Sequence, residues 1–214
     1  MEPDFWHNKW KANEIGFHMN QANPMLLAHF QRLHLQPGQR VFVPLCGKTL
    51  DIAWLLDQGY SVVGAELSVL AIDQLFSNLD IAPEVTEYKE LIHYRAPNLD
   101  IFIGDIFLLS AGLLGKVDAV YDRAALVALP ADMRQSYTRH LVAITFAAPQ
   151  LLITFDYDQA RMPGPPFCVD AAEVRMHYES SYQIELLESA AVQGGLKGVC
   201  PAQELVMLLQ PEAP

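Results

Sequence analysis

Cysteine is scarce in this 214-residue chain: Cys46, Cys168 and Cys200 are the only three. They lie far apart and form neither a disulfide framework nor a Cys-x-x-Cys metal pair. The seven histidines, His7, His18, His29, His34, His93, His140 and His177, show no HxxxH pair and no cysteine partner at ligand spacing, so no metal site is expected. Basic residues are the minority charge, 14 Lys and Arg against 25 Asp and Glu, for a formal charge of −11. That balance argues against non-specific binding to nucleic acid, which needs a field of Lys and Arg. It equally disfavours an anionic membrane surface. No apolar run approaches the roughly 18 residues of a membrane span. The stretch Met1-Glu2-Pro3-Asp4-Phe5-Trp6 has no basic start and no apolar core, so a secretory signal is not expected. The expectation is a cytoplasmic protein with reduced thiols. Repeats, low-complexity tracts and an interdomain linker are also missing, and the reading is one domain over residues 1–214. Nothing reads as a dimer seam, which predicts a monomer.

Glycine is sparse where nucleotide phosphates would need it. Gly47-Lys48-Thr49 resembles the end of a P-loop, but that motif requires a glycine at position 42, which is Phe42. The dinucleotide fingerprint fails too, because Val43-Pro44-Leu45-Cys46-Gly47 holds one glycine and a pyrophosphate demands closer backbone approach. No Gly-x-Ser-x-Gly elbow occurs.

What is present is an apolar alternation; 51% of the residues are hydrophobic, enough for a sizeable core. Short apolar runs at 41–45, 61–67, 99–103, 117–121 and 151–155 predict buried strands. Between them fall helical patterns. Asn23-Pro24 reads as an N-cap and first-turn proline, with Leu26, Leu27, Phe30 and Leu33 on one face. Ile52, Leu55 and Leu56 suit a helix ending at Gly59, and Ser68 caps another that turns Val69, Ile72, Leu75 and Phe76 inward. A helix from about Ala131 to Phe146 carries Met133, Tyr137, Leu141 and Ile144 at helical spacing. This rhythm predicts an α/β fold with a mostly parallel sheet covered by helices on both faces. After Pro166 the rhythm changes. Strands at 182–189 and 204–209 predict an antiparallel edge hairpin, seven strands in all.

The second strand ends in Glu66, 19 residues after Gly47, close to the roughly 20-residue spacing of an acid that accepts both hydroxyls of a ribose. Cys46, in the turn just before Gly47, reads as a small buried residue rather than a nucleophile.

Several segments resemble the thiopurine S-methyltransferase family, in its compact bacterial branch. They are Phe5-Trp6-His7-Asn8-Lys9-Trp10 with Gly16-Phe17-His18, Pro44-Leu45-Cys46-Gly47-Lys48, Val62-Val63-Gly64-Ala65-Glu66, Tyr121-Asp122-Arg123-Ala124-Ala125-Leu126-Val127-Ala128, and Pro163-Gly164-Pro165-Pro166-Phe167. They occur in order and span nearly the whole chain. The resemblance implies a Rossmann-like class I methyltransferase fold and S-adenosyl-L-methionine as methyl donor, with S-adenosyl-L-homocysteine as product. It implies Trp10, Leu45, Glu66 and Arg123 as donor contacts, with Asp105 or Ile106 beside the adenine. Arg123 would also steady an anionic acceptor sulfur, making it the catalytic candidate. Phe17 and Pro166 would line the acceptor pocket. For Arg123 the competing reading is an ion pair with Asp122 that holds the strand end; for Asp105 it is a helix N-cap.

The expected activity is therefore methyl transfer to small aromatic or heterocyclic thiols, thiopurines included, without a metal. Some bacterial relatives are associated with selenium or tellurium species. Two alternatives stand beside it: a small-molecule O- or N-methyltransferase on the same scaffold, and a module that binds S-adenosylmethionine without chemistry. A nicotinamide oxidoreductase loses support at the glycine-poor turn. Residues 1–23, rich in aromatics but without a clean period, are expected to serve as a lid over the site.

Overall fold

The computed structural model describes residues 3–16 and 19–212. Helix α1 (Pro3–Lys11) leads to α2 (Pro24–His29), then β1 (Arg40–Val43), α3 (Asp51–Asp57), β2 (Ser61–Glu66) and α4 (Val69–Asn78). The strands β3 (Glu84–Tyr88), β4 (Leu91–Ala96) and β5 (Leu99–Ile103) follow, then the short α5 (Ala111–Leu114), β6 (Ala119–Arg123) and α6 (Ala131–Thr145). The chain ends with β7 (Gln150–Tyr157), α7 (Ala171–Tyr178), β8 (Tyr182–Ala191) and β9 (Ala202–Pro211).

Among the described residues nine strands join one sheet, in the order β3-β4-β5-β2-β1-β6-β7-β9-β8. The middle five, β5, β2, β1, β6 and β7, run parallel, as their continuous apolar runs predict. β7 and β9 pair antiparallel, as do β9 and β8, which is the expected edge hairpin. The expectation of seven strands is corrected to nine. The two extra strands form an antiparallel hairpin, β3–β4, at the other edge, with β4 laid against β5. Every residue of β3 is exposed, so its sequence carries no apolar alternation to read. The hairpin is held instead by its ladder and by His93 of β4 stacking on Phe102 of β5, ring centroids 4.4 Å apart.

One apolar cluster lies on each face of the sheet. Tyr137, Leu141 and Ile144 of α6 and Val174 and Tyr178 of α7 pack on one side. Leu26, Phe30, Ile52, Leu55, Ile72 and Leu75 pack on the other. Of the predicted α2 face, Leu27 is the exception and stands exposed: it lies about 100° round the helix from Leu26, while Phe30 and Leu33 stay on the buried side. Asn23 caps α2 as predicted, its Oδ1 accepting the Met25 and Leu26 N–H groups. α7 was not anticipated, although Asp170 three residues before Glu173 is a capping signature: Asp170 Oδ1 accepts the Glu173 N–H at 2.8 Å. Among the described residues no helix is long and apolar enough to cross a membrane.

Candidate functional site

From β1 the chain steps to β2 and then, after β5, returns on the far side of β1 as β6. Where strand order reverses in this way, the loops leaving the strand ends diverge and open a crevice. A cleft of about 1180 Å³, its open mouth included, lies there. It is lined by residues that follow β1, β2, β5 and β6, together with Trp6 and Trp10 of α1 and Ile15.

Trp10, Leu45, Glu66, Asp105, Ile106 and Arg123 all line this one cleft. Glu66 is 6% exposed. One carboxylate oxygen accepts the Gly47 N–H at 2.8 Å and the other the Ser68 N–H at 2.9 Å. Burial pushes its carboxyl above the ordinary value, and the backbone donors at Ser68, Gly47 and Leu67 oppose that shift. A carboxylate has about four lone-pair sites, so Glu66 can accept further hydrogen bonds from the cleft side while pinning the β1 and β2 turns together.

The tips of β1 and β6 carry uncommon backbone. Leu45 has φ +44 and Ala124 φ +65, in the left-handed region that L-residues with a Cβ avoid. Such conformations persist where the surroundings over-determine them, which is common at ligand sites. Gly47, at φ +52, has no such conflict, but a Cβ there would lie 3.0 Å from Trp10 Cζ2. The indole therefore sits directly on the turn. The Gly47 N–H is already given to Glu66, so the turn does not present it to a phosphate. Cys46, buried behind the turn, has its thiol pushed well above the ordinary value by burial and by Glu66, so it is no nucleophile.

Asp105 is exposed and accepts the Phe107 N–H at 3.0 Å, capping the 3₁₀ turn 106–108, while Ile106 is buried at the cleft wall. The N-cap reading of Asp105 thus holds whether or not it also meets a ligand.

Asp122 and Arg123 alternate across the sheet. Arg123 faces the cleft with Tyr121. In register it lies in one row with Ile153 of β7 and Val206 of β9, and Glu204 stands two residues along that face of β9. Burial raises the Glu204 carboxyl, and the charge of Arg123 opposes the rise. Asp122 points the other way into the core, fully buried. It accepts the Tyr137 O–H at 2.7 Å and the Leu126 N–H at 3.1 Å, and so holds the segment 124–129 that forms the cleft wall at Ala124, Ala128 and Leu129.

Burial pushes Asp122 up to about 6 from an ordinary 3.8. Between those values the folded chain holds a proton that the unfolded chain has released, so stability falls as pH rises through this window. Below about 3.8 the penalty is absent; above about 6 it is complete, on the order of 2–3 kcal/mol. Urea unfolding from pH 4 to 7 should therefore show wild type losing stability relative to Asp122→Asn by about that amount as pH rises. Parallel pH profiles for the two proteins would refute a buried, elevated Asp122.

Of the two expected acceptor residues, one falls among the described residues. Pro166 does not line the cleft. Its ring is buried and its carbonyl accepts the Tyr157 O–H at 2.6 Å, which folds this proline segment against β7. Phe17 lies outside the described residues. Conversely, Trp6, Asp51, Phe107, Tyr121, Leu129 and Met133 line the cleft without having been singled out. The four-residue spacing of Trp6 and Trp10 was a readable helical signal for α1. Met133 shares the helical period of Tyr137, and it both packs against the core and lines the cleft. Among the described residues no three His, Cys, Asp or Glu side chains converge as a metal site requires.

Comparison with known proteins gives a consistent picture. The profile of the family described as thiopurine S-methyltransferase matches residues 1–206. A protein of Xanthobacter autotrophicus named thiopurine S-methyltransferase is 56% identical over 211 residues, covering 98% of this chain and 99% of its own. One of the same name from Gluconobacter oxydans is 49% identical over 210 residues, covering 98% and 96%. Among solved structures, the 1,6-didemethyltoxoflavin-N1-methyltransferase of Burkholderia thailandensis, with S-adenosylhomocysteine bound, superposes with a TM-score of 0.68 at 14% identity, covering 99% of this chain and 87% of its own. A SAM-dependent methyltransferase from Anabaena variabilis gives 0.66 at 14%, covering 97% and 95%. At such identities these two speak to the fold.

Proposed function

The chain belongs to the thiopurine S-methyltransferase family, and from that premise we propose that its cleft binds S-adenosylmethionine and an aromatic or heterocyclic thiol and transfers the methyl group to sulfur. The observation that carries this reading is the Glu66 carboxylate, buried at a strand tip beside a one-glycine turn that Trp10 covers. That combination suits a ribose diol without a diphosphate.

S-adenosylmethionine supplies a methyl group already activated by the sulfonium, which the acceptor sulfur takes by direct displacement. The chain's task is to align and to exclude water. Glu66 accepts the ribose hydroxyls. Asp105 and Ile106 flank the adenine. Leu45 and Trp10 close on the methionine end, with Trp6 and Ile15 completing a cover at the mouth. Arg123 faces the acceptor. Its guanidinium favours the thiolate over the thiol by opposite charge, and the apolar wall of Leu129 and Met133 strengthens that interaction by lowering the local dielectric. The first residues act as a lid over the cleft, a reading supported by Trp6 and Trp10 of α1 among the residues that line it.

The test is methyl transfer from labelled S-adenosylmethionine to a panel of aryl and heteroaryl thiols, catechols and amines. Transfer to the thiols is expected. Folded protein that binds the donor but methylates none of the panel would be a binding module. Turnover of catechols or amines alone would move the activity to oxygen or nitrogen.

A further inference from the structure

Four strand tips follow one another across the cleft in the order β5, β2, β1, β6. The proposed donor is itself a linear series: adenine, ribose, then a methionine end that carries an α-ammonium. Asp105 and Ile106 follow β5, and Glu66 ends β2, so the adenine and ribose positions run in strand order. The next position in that direction is the β1 turn, with the face of β6 opposite it.

Asp51 stands there. It is the first residue of α3, is 2% exposed, and lines the cleft together with Tyr121 of β6. Its Oδ1 accepts the Asn23 N–H at 2.7 Å and its Oδ2 the Tyr121 O–H at 3.0 Å. Each oxygen retains a second lone pair. Its own N–H lies 3.3 Å from Thr49 Oγ1, which ties it to the turn that carries Gly47.

Charge points to the same residue. An ammonium buried against apolar walls needs an opposite charge with open acceptor sites. Three carboxylates line the cleft among the described residues: Asp51, Glu66 and Asp105. Glu66 is occupied by two backbone donors and the proposed diol. Asp105 is exposed, caps its own turn, and sits at the adenine end. Asp51 is the buried carboxylate at the opposite end.

We infer that Asp51 is a further donor-binding residue, whose carboxylate receives the α-ammonium of S-adenosylmethionine. The inference rests on the proposed donor. It gives the carboxylate a role beyond joining Asn23 to Tyr121.

Calorimetry on the full chain tests it with two ligands: S-adenosylhomocysteine and its deamino analogue, in which hydrogen replaces the amino group. Wild type should bind the amino compound at least about tenfold more tightly, the worth of a charge-assisted hydrogen bond. In Asp51→Asn, which keeps the side-chain shape, S-adenosylhomocysteine should lose that advantage while the deamino analogue binds as before. Equal loss for both ligands would assign Asp51 to the fold alone and overturn the proposal. Equal affinities in wild type would overturn it without any variant, should Asp51→Asn fail to fold. Wild type that binds neither ligand would instead remove the donor reading beneath it.

Discussion

Glu66→Ala is expected to raise the dissociation constant for S-adenosylmethionine about 10–100-fold, the usual cost of removing an acceptor from buried partners. Two losses combine. The ribose hydroxyls lose their carboxylate, and the Gly47 and Ser68 N–H groups lose the oxygens that now accept from them. The second loss also loosens the turn on which Trp10 rests. Glu66→Gln separates the two poorly, because its amide nitrogen would face one of those N–H groups, donor against donor. Calorimetry read beside the melting temperature separates them well. An unchanged dissociation constant refutes the ribose role; a lower melting temperature with intact affinity assigns Glu66 to the turns alone. Acidification should mimic the substitution. Burial raises the Glu66 carboxyl, so it takes up a proton at higher pH than an ordinary glutamate, and donor affinity falls as pH is lowered.

Arg123→Ala should slow methyl transfer by about a hundredfold, comparable to removing one preorganised charge-stabilising donor from an active site. The loss should depend on pH in a particular sense. If the guanidinium lowers the pKa of the bound thiol, its removal matters most where the free thiol is protonated. The deficit should shrink as pH rises past the acceptor's own pKa, and its midpoint should move between two aryl thiols of different acidity. Arg123→Lys, which keeps the charge but not the planar fork, should recover part of the rate. Profiles of kcat against pH for both acceptors check this. A loss that is uniform across pH and accompanied by weaker donor binding would make Arg123 a donor contact without a role at the acceptor.

The central part of the fold was legible because its physics is local. A strand buried on both faces is apolar along most of its length, so 41–45, 61–67 and 151–155 could be recognised without knowing their neighbours. Asn23-Pro24, Ser68 and the period of α6 are likewise signals carried within a turn or two of chain. β3 had no such mark, because an exposed edge strand is defined by its hydrogen-bonded partner and not by its side chains. The same limit applied at the site. Glu66 could be proposed from its distance to Gly47, since strand, turn, helix and strand together set that spacing. Asp51 could not, since its neighbours Asn23 and Tyr121 come from 28 positions before it and 70 after. Pro166 shows a related limit: a proline run tells that a segment is stiff, and only the Tyr157 hydroxyl decides which way its carbonyl turns.

By itself, then, the order of residues determined the parallel α/β core, the single-glycine turn and the acid at the second strand's tip, because hydrophobic period and backbone permissiveness act between near neighbours. Only the tertiary structure decided what those tips surround. Reversal of strand order beside β1 opens the cleft, α1 walls it, and strand alternation sends Arg123 toward that cleft while burying Asp122 behind it. These are consequences of packing distant segments into one sheet, and no local window of sequence contains them.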